Sequence, residues 1–445
     1  LSFLYSPMWP LFLIAGGAAA FVYWYFYMHE PADTEKYVKF LNEDFRRQWA
    51  HKRIPISTLY EAYFAGHCEF REDVLDALKQ RHNYVSYKFT WSVINFVVTG
   101  FLPDVLFHSR SQDEAQVRDH YDRGNDFFEW FLGPTMIYTS AYFTKDDPTD
   151  LERAQTRKMN RMCTKLHIKP GMTLLDIGCG WGTLVRHAGR WFGARGTGVT
   201  LARNQVEYAT KKSAELELSD LCKFECKDYR DITKGTKFDR ITCIEMAEHV
   251  GVRKFKAFMR QIYNLTEDNG LFMLQVAGLR RAWQFEDLAW GLFMNKYVFP
   301  GADASTPLGF YVEQLERAGW EVTSLENIGV HYAMTIHQWY NNWMKNRDQV
   351  EATYGKVWFK TWEFFLAWSA IIPRLGSATC WQFVCHKNVN HFDRFAVIVP
   401  DENDNCPLDN HHECKKLPGD YVTAARPAPR DISIGHNGAP IENVW

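Results

Sequence analysis

Residues 174–182 read Leu-Leu-Asp-Ile-Gly-Cys-Gly-Trp-Gly, and this stretch decides the fold class. The apolar run 172–177 carries one acid, Asp176, and breaks into Gly178, Gly180 and Gly182. Residues 183–191 then read as a helix. A strand, a tight turn and a helix start predict the first crossover of a doubly wound, Rossmann-like α/β sheet. The glycines let backbone approach a ligand closely, and the helix amino end offers N–H groups to it. Dinucleotide folds use the same three-glycine device, and a turn without chemistry is the bland alternative.

Working outward, strand and helix signals alternate on the carboxyl side. Strands are predicted at 193–199, 221–226, 238–244, 270–276 and 320–328, with a helix over 204–214. Strand ends coincide with polar clusters: Thr200-Leu201, Asp228-Tyr-Arg-Asp231 and Glu245-Met-Ala-Glu-His-Val-Gly251. Ligands in open α/β sheets bind beyond the carboxyl ends of strands, so these clusters predict one composite site. On the amino side, residues 150–166 read as the entry helix. Residues 119–143 alternate polar and aromatic side chains too closely for an ordinary helix face, a pattern that suits a ligand lid or a solvated loop.

Residues 279–319 exceed an ordinary loop and carry Trp283, Phe285, Trp290, Phe293, Tyr297 and Phe299. They are expected to cover a substrate, with a plain aromatic core as the alternative. Residues 337–372 add a Trp- and Phe-heavy helical part. Residues 34–90 read as helices, 73–81 among them. Residues 91–107 are apolar but interrupted by Asn95, Gly100, Pro103 and Asp104, which suits an interfacial or substrate-covering helix pair.

Residues 1–28 contain no Asp, Glu, Lys or Arg and are long enough to cross about 30 Å of hydrocarbon, predicting a membrane-anchoring helix within 1–29. The interleaved positive charge at 30–53 favours a cytosolic body. The expected organisation is thus an anchor (1–29), a membrane-proximal helical region (30–118), the α/β domain (119–400) and a disordered tail (401–445). Cys406, His411, His412 and Cys414 match no usual zinc spacing, and no metal is expected. The ten scattered cysteines read as reduced thiols. A net charge of −2 gives no basic excess for nucleic acid, while 32 Phe, 21 Tyr and 17 Trp suit an apolar or membrane-adjacent substrate, with absorption into a large core as the alternative.

The motifs resemble the cyclopropane-fatty-acid synthase and mycolic-acid methyltransferase family, and within it the fungal-type sphingolipid 9-methyltransferases. The resemblance runs from about residue 119 to 388. It is carried by His120-Tyr-Asp-Arg-Gly-Asn-Asp-Phe-Phe, Met136-Ile-Tyr-Thr-Ser-Ala-Tyr, the glycine loop, Gly198-Val-Thr-Leu-Ala-Arg-Asn-Gln205, Glu248-His-Val-Gly and His331-Tyr332. Phe293-Met-Asn-Lys-Tyr-Val-Phe-Pro-Gly-Ala-Asp-Ala-Ser-Thr-Pro307 points to the sphingolipid branch. The resemblance implies an S-adenosylmethionine-dependent methyltransferase of the endoplasmic reticulum membrane. Its implied substrate is the Δ8-unsaturated sphingoid base of ceramide or glucosylceramide, methylated at carbon 9 through a carbocation. A cyclopropane-forming lipid enzyme and a non-catalytic lipid-binding protein are the alternatives.

Carried over by motif, cofactor contacts are expected at Tyr138, Thr139, Leu174, Leu175, Asp176, Ile177, Gly178, Cys179, Gly180, Trp181 and Gly182. Thr200, Leu201, Ala202, Arg203, Asn204 and Gln205 follow near the ribose and methionine, and Tyr229 and Arg230 near the adenine. A helix-capping role for Gln205 is the alternative. In the wider family bicarbonate accepts the proton, held by Cys, Glu, His and Tyr. Here those positions are Ser140, Glu248, Gln275 and Tyr332, so two of the four depart and bicarbonate is put in question. Glu248 acting directly on the proton is the other reading. His249 is expected to orient Glu248 or to act beside it, and Tyr332 has the alternative of plain core packing.

Overall fold

The computed structural model describes residues 16–18, 30–101, 103, 124–300 and 305–390. The expected anchor over 1–29 (save 16–18), residues 120–123, the Cys406–Cys414 cluster and the tail 401–445 lie outside the described residues. Among the described residues no helix is long and apolar enough to cross a membrane.

Seven strands form one sheet: β1 (Thr173–Ile177), β2 (Arg195–Thr200), β3 (Cys222–Cys226), β4 (Phe238–Ile244), β5 (Thr266–Leu279), β6 (Trp320–Asn327) and β7 (Ala378–Lys387), in the order β6-β7-β5-β4-β1-β2-β3. The five strands from β3 to β5 run parallel, whereas β7 is antiparallel to both β5 and β6. The chain leaves β1 toward β2 and β3, then returns to the other side for β4 and β5. That reversal opens a crevice at the carboxyl ends of β1 and β4. Every residue of β7 is buried, and β5 is buried without a break from Gly270 to Leu279. Unbroken burial means cover on both faces, which is why neither strand shows period-two alternation.

The helices that matter here are α1 (Ile56–Phe64), α2 (Asn125–Leu132), α3 (Leu151–Lys165), α4 (Thr183–Phe192), α5 (Arg203–Glu215), α6 (Phe255–Leu265), α7 (Phe285–Tyr297), α8 (Leu308–Arg317), α9 (Gly329–Lys345) and α10 (Lys356–Ile371). α6 and α8 cover one sheet face, through Phe258, Ile262, Tyr311 and Leu315. α3 and α4 cover the other, through Met162, Cys163 and Ala188. A separate aromatic core joins α1, α2, α7, α9 and α10. In it Phe127 meets Trp362 edge-on at 4.8 Å, and Trp339, Trp343 and Trp368 are fully buried. α10 is buried on every side from Phe359 onward, as befits a helix apolar all round.

Three sequence expectations change. β7 was not anticipated at all. The expected substrate cover over 279–319 is two different things: α7 belongs to the aromatic core, but α8 is an ordinary sheet-packing helix. The helical reading of 34–90 omits two short strand pairs, Val38–Phe40 with Cys68–Phe70 and Ile54–Pro55 with Val85–Ser86. These pairs are only two or three residues long, too short for a periodic signal. Residues 38–85 share the aromatic core with α9 and α10. Polar contacts reinforce that union: Tyr63 donates to Glu363 at 2.6 Å, Tyr340 to Asp73 at 2.8 Å, and Arg81 pairs with Glu286 at 2.5 Å. The eight described cysteines form no disulfide.

Candidate active site

The glycine loop crosses the crevice because its backbone is built for it. Gly178, Gly180 and Gly182 all hold positive φ, at +78°, +51° and +77°. A Cβ on Gly182 would come within 2.4 Å of the Phe224 ring, and one on Gly178 within 2.4 Å of Met246. Gly180 differs: a Cβ there would meet nothing within 4 Å, because it borders open cleft. Trp181 closes the loop's other side, donating from Nε1 to Asn125 at 2.8 Å.

The cleft brings together Tyr138, Thr139, Asp176, Ile177, Gly178, Cys179, Gly180 and Trp181 with Thr200, Leu201, Gln205, Tyr229, Arg230 and His249. Asp176, at the end of β1, accepts from the Thr242 hydroxyl at 2.7 Å, and burial pushes its carboxyl up to about 6. The Thr200 hydroxyl donates to Gln205 Oε1 at 2.7 Å, which turns the Gln205 amide nitrogen toward donation. Gln205 does not cap its helix, whose amino end at Ala202 carries no side-chain cap. Arg230 is held by Asp228 through its Nη2 at 2.7 Å.

The remaining expected contacts lie outside the cleft lining, each for a physical reason. Leu174 and Leu175 face the two sheet cores, and Gly182 is packed under Phe224. Ala202 is buried, Arg203 is exposed at the start of α5, and the Asn204 side chain accepts from the Gln205 backbone N–H. The lining still fits a ligand with an amino-acid end, a sugar and a planar base. It offers a glycine cradle, paired hydroxyl and amide groups, and an acid on the strand end.

Beside the cleft stands a residue that sequence reasoning passed over. Glu245 ends β4 with φ +50°, a left-handed conformation unusual for any residue but glycine. Glu245 is among the residues that line the cleft. Oε1 accepts from the Ser140 backbone N–H at 2.8 Å, from Gln275 Nε2 at 2.6 Å and from Cys380 Sγ at 3.5 Å. Among the described residues nothing donates to Oε2. Burial is the main force raising its carboxyl above the usual range. So two of the expected catalytic residues, Ser140 and Gln275, converge on Glu245, while the Ser140 hydroxyl donates to the Ala141 carbonyl at 3.2 Å.

The other expected residues surround that acid. Glu248 does not line the cleft; its Oε1 accepts from the Ala277 N–H at 2.6 Å, and among the described residues its buried Oε2 has no hydrogen-bond partner. Burial, then the neighbouring Glu245, push its carboxyl up to about 8. Tyr332 is half-buried, and burial followed by the charge of Glu245 holds its hydroxyl well above the usual range. Lys158, also unanticipated, points from α3 into the cleft and donates to the Thr139 hydroxyl at 2.6 Å. Burial lowers its ammonium to about 8. Its signal was present in the sequence: it falls on the buried stripe Ala154, Lys158, Met159, Met162, where a lone cation is out of place. An aromatic wall flanks the cleft, with Tyr138 packed against Phe131 at 5.3 Å, Trp339 at 5.3 Å and Phe299 at 5.9 Å.

The sequence profile of the family described as mycolic acid cyclopropane synthetase matches residues 108–383. The sphingolipid C9-methyltransferase of Komagataella phaffii is 50% identical over 387 residues, covering 84% of this chain and 79% of that protein. Sphingolipid C9-methyltransferase 2 of Gibberella zeae is 49% identical over 381 residues, 85% of this chain and 73% of its own. Among solved structures, mycolic acid cyclopropane synthase CmaA1 complexed with SAH and CTAB matches with a TM-score of 0.59 at 29% identity, over 62% of this chain and 98% of that one. The chain belongs to the mycolic acid cyclopropane synthetase family, on the branch that holds the fungal sphingolipid C9-methyltransferases.

Proposed function

We propose that this chain transfers the methyl group of S-adenosylmethionine to carbon 9 of a Δ8-unsaturated sphingoid base, in ceramide or glucosylceramide, and leaves a 9-methyl alkene. One observation carries the reading: a single glycine-cradled cleft is lined by the aromatic Tyr138 and by the carboxylate residues Asp176 and Glu245. The cofactor supplies an electrophilic methyl. An isolated alkene is a feeble nucleophile, so the chain's task is alignment in a dry site. Asp176, Thr200, Gln205, Tyr229 and Arg230 would hold the donor, and the face of Tyr138 would stabilise positive charge on the alkene carbon. His249 lines the same pocket, and Glu248 and Tyr332 stand near Glu245 without lining it.

The substrate is a membrane lipid, and the reading includes access from a membrane surface at the endoplasmic reticulum with the catalytic body on the cytosolic side. Trp91, Val98, Trp283 and Phe285 support it, being 82%, 59%, 57% and 57% exposed. Phe285 touches both Phe89 and Trp283, each at 6.3 Å between ring centres, so part of this apolar surface is contiguous.

The test is methyl-labelled S-adenosylmethionine with Δ8-unsaturated glucosylceramide and detergent-solubilised protein, the product read by NMR. Label on carbon 9 of a retained alkene is expected. Label in a cyclopropane would move the chain to the sister chemistry. Cofactor binding without lipid labelling would sink the substrate assignment.

A further inference from the structure

Methylating C9 of a C8=C9 alkene leaves a hydrogen on C9 that must depart if the alkene is to return. We propose, resting on the reading above, that Glu245 is the base that takes this proton, a carboxylate of the chain itself standing where a diffusible anion would otherwise have to bind.

The geometry singles out Glu245 in three ways. Its carboxylate is anchored on one side only: backbone N–H, amide and thiol all converge on Oε1, leaving Oε2 without a donor among the described residues. It also lines the cleft, as Glu248 does not. And the chain keeps a glutamate at φ +50°, where a side-chain-bearing residue costs roughly 1–2 kcal/mol. Strain retained at a cleft residue points to a role there.

The polarity of the contact is fixed from a distance. Lys165 carries only donors, and its ammonium donates to Gln382 Oε1 at 2.7 Å. Gln382 must therefore present Nε2 to Gln275 Oε1, at 3.1 Å. Gln275 is left with its own Nε2 for Glu245. A lysine two amides away thus dictates that Glu245 Oε1 is an acceptor. Gln275 and Gln382 are positioning residues in this scheme.

The step balances. The π pair of C8=C9 forms the new C9–CH3 bond as the S–CH3 bond breaks onto sulfur, leaving the cation at C8. The C9–H bond then breaks, its pair re-forms C8=C9, and the proton passes to Oε2 of Glu245. Water later removes it.

The experiment compares wild type, Glu245→Gln and Glu245→Gly, measuring cofactor binding by calorimetry and labelled methyl transfer to Δ8 glucosylceramide in carbonate-stripped buffer, with and without added bicarbonate or formate. The wild-type rate is expected to be indifferent to bicarbonate. Glu245→Gln should lose at least about 100-fold in turnover while still binding the cofactor. A substrate deuterated at C9 should react more slowly in that variant, because proton removal becomes limiting. Glu245→Gly, which relieves the backbone, should regain turnover with formate or bicarbonate. If Glu245→Gln stays within about threefold of wild type, or wild type needs bicarbonate, the inference falls. A wild type that binds cofactor but labels no lipid overturns the substrate reading instead. Should Glu245→Gln fail to fold, bicarbonate dependence of wild type and rescue of Glu245→Gly decide the matter.

Discussion

Gly180 and Gly182 share a backbone shape but differ in what stands beside them, and alanine separates the two. At Gly182 the added methyl strikes the Phe224 ring and approaches Ala209 at 2.9 Å. Strain and overpacking together should cost about 2–5 kcal/mol, read as a large drop in melting temperature. At Gly180 the methyl meets no protein atom and enters the cleft. Gly180→Ala should therefore cost only about 1–2 kcal/mol of stability yet weaken S-adenosylmethionine binding at least about tenfold by calorimetry. Equal cofactor affinity in Gly180→Ala and wild type would remove the loop from the binding site. These roles were half legible in sequence. The three-glycine pattern announced a turn, but only the positions of Phe224, Met246 and open cleft say which glycine serves packing and which serves the ligand. Glu245 was quoted in the strand-end cluster and still overlooked, because its partners Ser140, Gln275 and Cys380 are distant in the chain and its φ has no sequence signature.

Helix α10 illustrates how an element can be apolar all round and still hold an acid. Glu363 lies within it, 3% exposed, accepting from Tyr63 at 2.6 Å. Burial pushes its carboxyl up to about 7 from the ordinary 4.5, against the opposing Tyr63 hydrogen bond and Arg347 charge. The native chain then holds this proton to higher pH than the unfolded chain does. The corresponding stability is full below about pH 4.5 and is lost as pH rises through about 7, on the order of 3 kcal/mol. Glu363→Gln keeps an acceptor for Tyr63 and should flatten the melting temperature over that window. An unchanged slope would show that the acid is not the source. The strands β1 to β4 and helices α3 to α5 were legible to within one or two residues, since turns and periodicity bound each of them. β7 was not: its run Ala-Thr-Cys-Trp-Gln-Phe-Val-Cys-His-Lys mixes Gln382, His386 and Lys387 into a strand buried throughout. The polar groups that disguise it include Gln382, which the hydrogen-bond chain to Gln275 requires, and Lys387, which reaches Asp268 at 3.0 Å.

At the level of the whole molecule, the region preceding the α/β fold is welded to the helices that follow it. The 2.5 Å Arg81–Glu286 pair joins it to α7, and Lys360 of α10 reaches Glu69 at 2.6 Å. Trp283 and Phe285, beside this joint, are exposed, and Phe285 meets Phe89, two residues before the exposed Trp91. If this face meets lipid, replacing Trp91, Trp283 and Phe285 by serine should lower flotation of the chain with ceramide-containing vesicles several-fold. Methyl transfer to detergent-dispersed substrate should persist. Undiminished flotation would assign vesicle binding to other parts of the chain. The sequence carried this surface only as an aromatic excess; which rings are core and which are outward depends on how α7 docks.

The torsion at residue 245 has a consequence in heredity. Glycine occupies that backbone shape freely, and purine-ending codons for glycine and glutamate differ by a single base. One point mutation thus separates a chain that carries its own acid from one with a vacant hollow between Ser140, Gln275 and Cys380. A lineage with this glutamate is one nucleotide from surrendering it, and one with a purine-ending glycine codon is one nucleotide from gaining a tethered proton acceptor.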